Sequence, residues 1–157
     1  MSRTVYFEDL HTGLRFKSEP FDMTEEGLIR FSRDNDPQFF HVDPEAAKES
    51  IFGGLIASGW QTGALTLRAL LEGCGMTFAG GVVGMDAHLS WKRPVRPGDR
   101  LHIEGEITKL RASRSQPDRG FVTFKAATLN GAGEIVQTIE ATMLAFRDPA
   151  REANRER

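Results

Sequence analysis

Asp36 and His41, a carboxylate and an imidazole five residues apart, carry the chain's strongest chemical potential. They sit in Asp36-Pro37-Gln38-Phe39-Phe40-His41-Val42-Asp43-Pro44, just past a predicted helix. In an unbroken helix, five residues turn about 140° around the axis and would hold the two side chains apart. Pro37 removes that obstacle, because the residue before a proline is pushed out of the α region and the helix must stop near Asp36. A short loop can then aim both groups at one point. A carboxylate and an imidazole converging on one water form a proton-transfer device. Taken alone, the spacing also fits a plainer arrangement, in which Asp36 caps a turn and His41 is a partly buried structural histidine.

The positioning elements follow from local signals. Thr24 is a good N-cap, with Glu25 and Glu26 in the first turn, and Leu28, Ile29 and Phe31 give an apolar stripe; a helix is predicted over 25–34. Asp43 before Pro44 starts a second, short helix. Phe52-Gly53-Gly54 breaks the chain, and the longest apolar helix spans 58–72. Trp60 and the leucines after it are expected in the core, with the helix buried on several sides. Gly73 and Gly75 end it. Residues 4–21 read as a short strand and turn with Phe16 and Phe21 as core anchors. Segments near 81–92, 100–112, 120–130 and 135–147 are strand-like between explicit turns, and short turns between long strands predict an antiparallel meander. One buried helix and several long strands make an α+β layer.

The chain has 157 residues, enough for one domain with a substantial core. That domain is placed at 1–147, followed by a charged tail over 148–157 expected to fray. A formal charge of -2 gives no support for nucleic-acid or membrane-surface binding. The start lacks a signal-peptide apolar run, and no stretch approaches the roughly 20 apolar residues needed to span a bilayer, so a cytoplasmic protein is expected. The single cysteine, Cys74, has no activating neighbour in sequence, His88 and His102 on predicted strands lack a second ligand at metal-like spacing, and His11 lies in a loop with nothing to mark it. No metal site is expected.

Three segments resemble the MaoC-like dehydratase family, which includes the R-specific enoyl-CoA hydratases and has the hot-dog fold. The family's hydratase motif runs Asp, any residue, Asn, Pro, any residue, His; here Asp36 and His41 match, Gln38 replaces Asn and Phe39 replaces Pro. Phe52-Gly53-Gly54-Leu55-Ile56-Ala57-Ser58-Gly59 is similar to the segment whose glycine opens the central helix. Lys92-Arg93-Pro94-Val95-Arg96-Pro97-Gly98-Asp99 resembles the family's Arg-Pro-Val-x-x-Gly-Asp turn. The likeness runs over roughly 5–147 and strengthens the catalytic reading of Asp36 and His41.

The resemblance implies a long central helix wrapped by an antiparallel sheet. It also implies an acyl-thioester hydratase/dehydratase that adds water to a 2-enoyl-CoA to give a 3-hydroxyacyl-CoA, syn and with R configuration. Asp36 and His41 would share the acid–base work, neither being assigned base or acid, because a coupled pair shares its titration. Gly59 would polarise the thioester carbonyl through its backbone N–H. Gly54 is a weaker candidate for the same role. Gln38, Phe39, Ser58, Trp60, Arg93 and Arg96 are the candidate substrate contacts, the arginines toward coenzyme A phosphates. Coenzyme A enters only as part of the substrate, with no other cofactor. A homodimer or higher homo-oligomer is expected. Thioester hydrolysis on the same fold and a non-catalytic acyl-thioester-binding module are the alternatives.

Overall fold

The structure is a computed structural model that describes residues 2–153. Helix α1 (Glu25–Asn35) starts at Thr24, whose side chain accepts the Gly27 N–H, and stops at Asp36, which leaves the helical region at φ -153°, ψ 71° without becoming fully extended. Single turns α2 (Phe39–Val42) and α3 (Pro44–Ala47) follow, the second capped by Asp43. The long helix α4 (Gly59–Glu72) is capped by Ser58. The long strands are β5 (Val83–Trp91), β6 (Arg100–Ala112), β7 (Arg119–Leu129) and β8 (Ile135–Phe146), with short strands β1 (Arg3–Val5), β2 (Arg15–Lys17), β3 (Phe21–Asp22) and β4 (Met76–Phe78).

The sheet order is β2-β6-β7-β8-β5, antiparallel throughout, with β3 extending the β2 edge along β6. Helix α4 lies against its inner face, giving the hot-dog arrangement. The predicted meander holds for β6, β7 and β8 only. Strand β5 passes over β6 and pairs with β8, because the chain after Trp91 leaves the sheet through the Pro94–Gly98 loop instead of a hairpin. A small parallel pair, β1 with β4, is an addition the sequence patterning did not suggest.

Two apolar clusters make the core. One, including Ile103, Ile107, Val122, Phe124 and Met143, lies beneath the C-terminal half of α4. The other, including Met23, Leu28, Leu55, Val95, Leu101 and Val136, joins α1 to the end of the sheet. The expectation that Trp60 and the leucines of α4 are core residues holds for Leu65 and Leu70, which pack against the two clusters, and fails for Trp60, Leu67 and Leu71. Trp60 is 62% exposed and Leu67 52%, with Leu71 also exposed, while α4 turns Gln61, Thr62 and Thr66 into the interior. These outward residues recur at i, i+7 and i+11, one stripe of the helix.

Instead of fraying, the tail begins with the turn α5 (Pro149–Ala153), anchored where Arg151 Nη2 meets Asp9 Oδ1 at 3.0 Å. The rest of the expected tail, 154–157, lies outside the described residues. No helix among the described residues is long and apolar enough to cross a membrane.

Candidate active site

Pro37 terminates α1, and the α2 turn that follows rotates His41 back beneath Asp36. His41 Nε2 lies 3.3 Å from Asp36 Oδ2, and the imidazole is buried. His41 Nδ1 is 2.8 Å from the Ile56 carbonyl oxygen. A carbonyl can only accept, so Nδ1 carries the hydrogen, and in the neutral ring the Nε2 lone pair faces the carboxylate. Two acceptors facing each other need a shared proton or a water that donates to both.

Asp36 is held just as closely. Ser58 Oγ donates to Asp36 Oδ2 at 2.7 Å, and Gln38 Nε2 donates to Asp36 Oδ1 at 2.8 Å. Burial by itself pushes the Asp36 carboxyl up, but the Ser58 and Gln38 hydrogen bonds and the nearby His41 outweigh it and hold the group below the ordinary carboxylate range. Asp36 is therefore charged at neutral pH.

The dyad opens into a cavity of about 480 Å³, also bordered by Gly59, Trp60, Trp91, Lys92 and Arg93. Gly59 occupies the first position of α4, where backbone N–H groups lack intrahelical partners. Trp60 N–H is taken by Ser58 Oγ at 3.3 Å, whereas Gly59 N–H has no acceptor among the described residues. A second, apolar cavity of about 470 Å³ runs between α4 and the sheet, lined by Leu67, Leu70, Met76, Phe78, Leu89 and Met143 among others. Trp60 borders both cavities.

The candidate substrate contacts divide. Gln38, Trp60 and Arg93 border the dyad cavity. Ser58 is fully buried and reaches Asp36 rather than open space. Phe39 is half exposed and packs edge-on against Phe40 at 5.1 Å; Phe40, not Phe39, forms part of the cavity wall. Arg96 turns inward, donating from Nη2 to the Phe52 carbonyl at 2.6 Å and tying down the Phe52–Gly54 loop. Gly54 faces this guanidinium and is not among the residues bordering the dyad cavity. Arg93 stays exposed at the rim, 3.3 Å from Glu134.

Two residues at the site were not singled out from the sequence, Lys92 standing only as the first residue of the Lys92–Asp99 segment. Lys92 joins Arg93 at the cavity rim. Trp91 lies over Gly59, donating from Nε1 to the Gly59 carbonyl at 3.0 Å and to Gln137 Oε1 at 3.1 Å. Only the sheet register reveals it, by pairing Trp91 with Gln137 across β5 and β8.

The profile of the family described as MaoC like domain matches residues 10–129. The solved structure of a MaoC-like dehydratase from Rhodospirillum rubrum is 43% identical, superposes with a TM-score of 0.87, and aligns over 92% of this chain and 99% of its own. Uncharacterized protein YdeM of Bacillus subtilis is 30% identical over 126 residues, which are 78% of this chain and 86% of that protein. The 3-hydroxybutyryl-CoA dehydratase of Methylorubrum extorquens is 32% identical over 111 residues, 69% of this chain and 67% of its own.

Proposed function

The chain belongs to the family of MaoC-like domains, and from that premise we propose that it is an acyl-thioester hydratase/dehydratase. It adds water across the C2–C3 double bond of a 2-enoyl-CoA to give a 3-hydroxyacyl-CoA, or runs the reverse. The observation that carries this reading is the Asp36–His41 pair, 3.3 Å apart with His41 buried and Asp36 partly so, on the wall of a cavity shared with Gly59. The kinship with a 3-hydroxybutyryl-CoA dehydratase supports the reaction class.

In this reading one water lies between Asp36 and His41 and donates to both. As its oxygen bonds to C3, the pair takes one of its protons. The π electrons move toward the thioester, whose oxygen gains negative charge against the Gly59 N–H. The pair then returns a proton to C2 on the same face, and the net change is addition of one water. General acid–base work of this kind is worth ~10²–10⁴-fold, and a positioned backbone donor contributes ~2.7–4 kcal/mol. The apolar cavity behind α4 would take the acyl chain. Lys92 and Arg93 at the rim would meet the phosphates of coenzyme A, which arrives with the substrate. The chemistry as written uses no metal or redox group.

A second copy of the chain would complete this enzyme by covering the edge of β5, which has no strand partner on its far side among the described residues, and the exposed apolar stripe of α4. Met85 on β5 is 55% exposed, and Val83 and Trp91 are exposed beside it. An open edge strand next to an apolar face is a ready template for pairing.

The test follows the loss of enoyl-thioester absorbance over short, medium and branched 2-enoyl-CoAs. Wild-type hydration that falls at least ~10²-fold in both Asp36→Asn and His41→Ala, with folding intact, is expected. Release of free thiol without hydration would move the protein to thioester hydrolysis. Binding without either reaction would leave an acyl-thioester-binding module.

A further inference from the structure

We propose that Trp91, backed by Gln137, is a positioning residue that sets the place of the Gly59 N–H in the site; this rests on the hydratase reading above. A Cβ at Gly59 would lie well inside contact distance of the Trp91 ring, 2.6 Å from Nε1 and 2.8 Å from Cδ2. An indole is rigid and cannot swing its atoms aside as a flexible chain end would. The glycine is therefore required first by Trp91, which lies directly against the opening turn of α4.

Trp91 is itself fixed from behind. Its single N–H is shared between the Gly59 carbonyl and Gln137 Oε1, at 3.0 and 3.1 Å. Gln137 is fully buried, and its Nε2 donates to Thr66 Oγ1 at 3.1 Å. Thr66 bonds Thr128 across 2.9 Å. The register places Thr128, Gln137 and Trp91 side by side on β7, β8 and β5. A polar row thus crosses three strands beneath α4, rises to the helix at Thr66, and ends on its first turn through Trp91. Thr66, Thr128 and Gln137 are buried and satisfy one another, which fixes the Gln137 amide because any displacement leaves one of them unpaired, and Trp91, half exposed, takes its place from that fixed amide.

The consequence lies in the transition state. The Gly59 donor matters most when charge develops on the thioester oxygen, and a misplacement of about 1 Å can cost ~10²-fold in rate. Loss of the Trp91 N–H therefore lowers kcat and leaves the bulk of substrate binding, which is made by the acyl cavity and rim, unchanged.

The experiment compares wild type, Trp91→Phe and Gln137→Met in two ways. Hydration kinetics give kcat and KM separately. Isotope-edited infrared spectroscopy of a bound saturated acyl-CoA, 13C-labelled at the carbonyl, reports polarisation of the C=O without any turnover. The expected result is a fall in kcat of ~10–100-fold with KM changed less than about threefold, and a carbonyl stretch in both variants shifted back toward the free thioester. Circular dichroism and melting identify a variant that fails to fold, and the other variant then carries the test. Unchanged kcat and an unchanged stretch in folded variants would overturn the proposal. A wild type that binds acyl-CoA without hydrating it would sink the hydratase reading, while the infrared comparison still decides the role of Trp91. A wild type that binds no acyl-CoA would overturn both.

Discussion

Asp36 is kept charged against its own burial, and Ser58 is its closest hydrogen-bond donor. The sign of the effect on stability follows from the depressed carboxyl. Such a group stabilises fully above its unfolded value of about 3.9, and that contribution is lost as pH falls through the lower folded value. Ser58→Ala removes the 2.7 Å donor to Asp36 Oδ2 and the N-cap of α4 together. The folded carboxyl then rises toward its unfolded value, so the acid edge of stability shrinks and moves to higher pH. Loss of the cap alone costs about 1 kcal/mol at neutral pH. Urea unfolding of both proteins between about pH 2 and 7 reads both effects; a parallel drop at every pH would mean that Ser58 acts only as a cap. Gly59 makes a second prediction at this scale. Gly59→Ala forces a Cβ into Trp91, and overpacking of this kind costs ~1–3 kcal/mol. In a Trp91→Leu background the clash is relieved, so the two substitutions cost less together than the sum of their separate costs. Strict additivity in thermal melts would show that the contact carries no strain.

Helix α4 carries its polarity on the side opposite to expectation. Thr66 bonds Thr128 and Gln137 of the sheet, Gln61 donates to the Gly27 carbonyl of α1, and Trp60, Leu67 and Leu71 are exposed, so the helix is tied to the sheet and to α1 partly by hydrogen bonds. Thr66→Val leaves Gln137 Nε2 and the Thr128 hydroxyl without their shared partner, at about 1–3 kcal/mol. Replacing all three, Thr66→Val with Thr128→Val and Gln137→Met, removes the polar groups together and is expected to cost less than the three single changes combined. Chemical denaturation of the four variants measures this, and a triple variant at the full sum would show that the row is not one unit. These elements also mark where sequence reading succeeds. Thr24, Asp36-Pro37, Asp43-Pro44 and Ser58 are local signals, and each ends or begins a helix where its own chemistry requires. The Asp36–His41 convergence was legible because a proline break is local as well. The joining of β5 to β8 was not, since strand partners are chosen by the whole sheet. Neither was Trp91, whose importance depends on lying opposite Gln137 and above Gly59, residues 46 and 32 positions away. Hydrophobicity alone misplaced Trp60, Leu67 and Leu71, because an apolar helix face can line an open cavity as readily as a closed core.

At the scale of the molecule, the two faces of the sheet differ in what they can meet. Across the outer face, Arg15, Glu106, Lys125, Glu140 and His88 stand in register on β2, β6, β7, β8 and β5. The alternating charges, with Lys125 Nζ 3.5 Å from Glu140 Oε2, make a solvated surface whose ion pairs add little stability individually. The row ends on β5, which lacks a strand partner on its far side among the described residues. Beside that edge stand Val83, Met85 and Trp91, with the Trp60–Leu67–Leu71 stripe of α4 across the apolar cavity. If copies of this chain associate as proposed, apolar side chains concentrated along one open edge, next to a charged outer face, make that edge the expected meeting surface. Sedimentation equilibrium of the wild type is expected to give twice the chain mass at micromolar concentration. Leu67→Glu, at the rim of the apolar cavity, and Val83→Lys put charge on half-exposed positions that a single folded chain can leave in water, yet each would bury that charge against a second copy. Both are therefore expected to shift toward the single-chain mass with circular dichroism unchanged. A wild type that sediments as one chain, or variants that remain paired, would mean that the stripe and the β5 edge are not where copies of this protein meet.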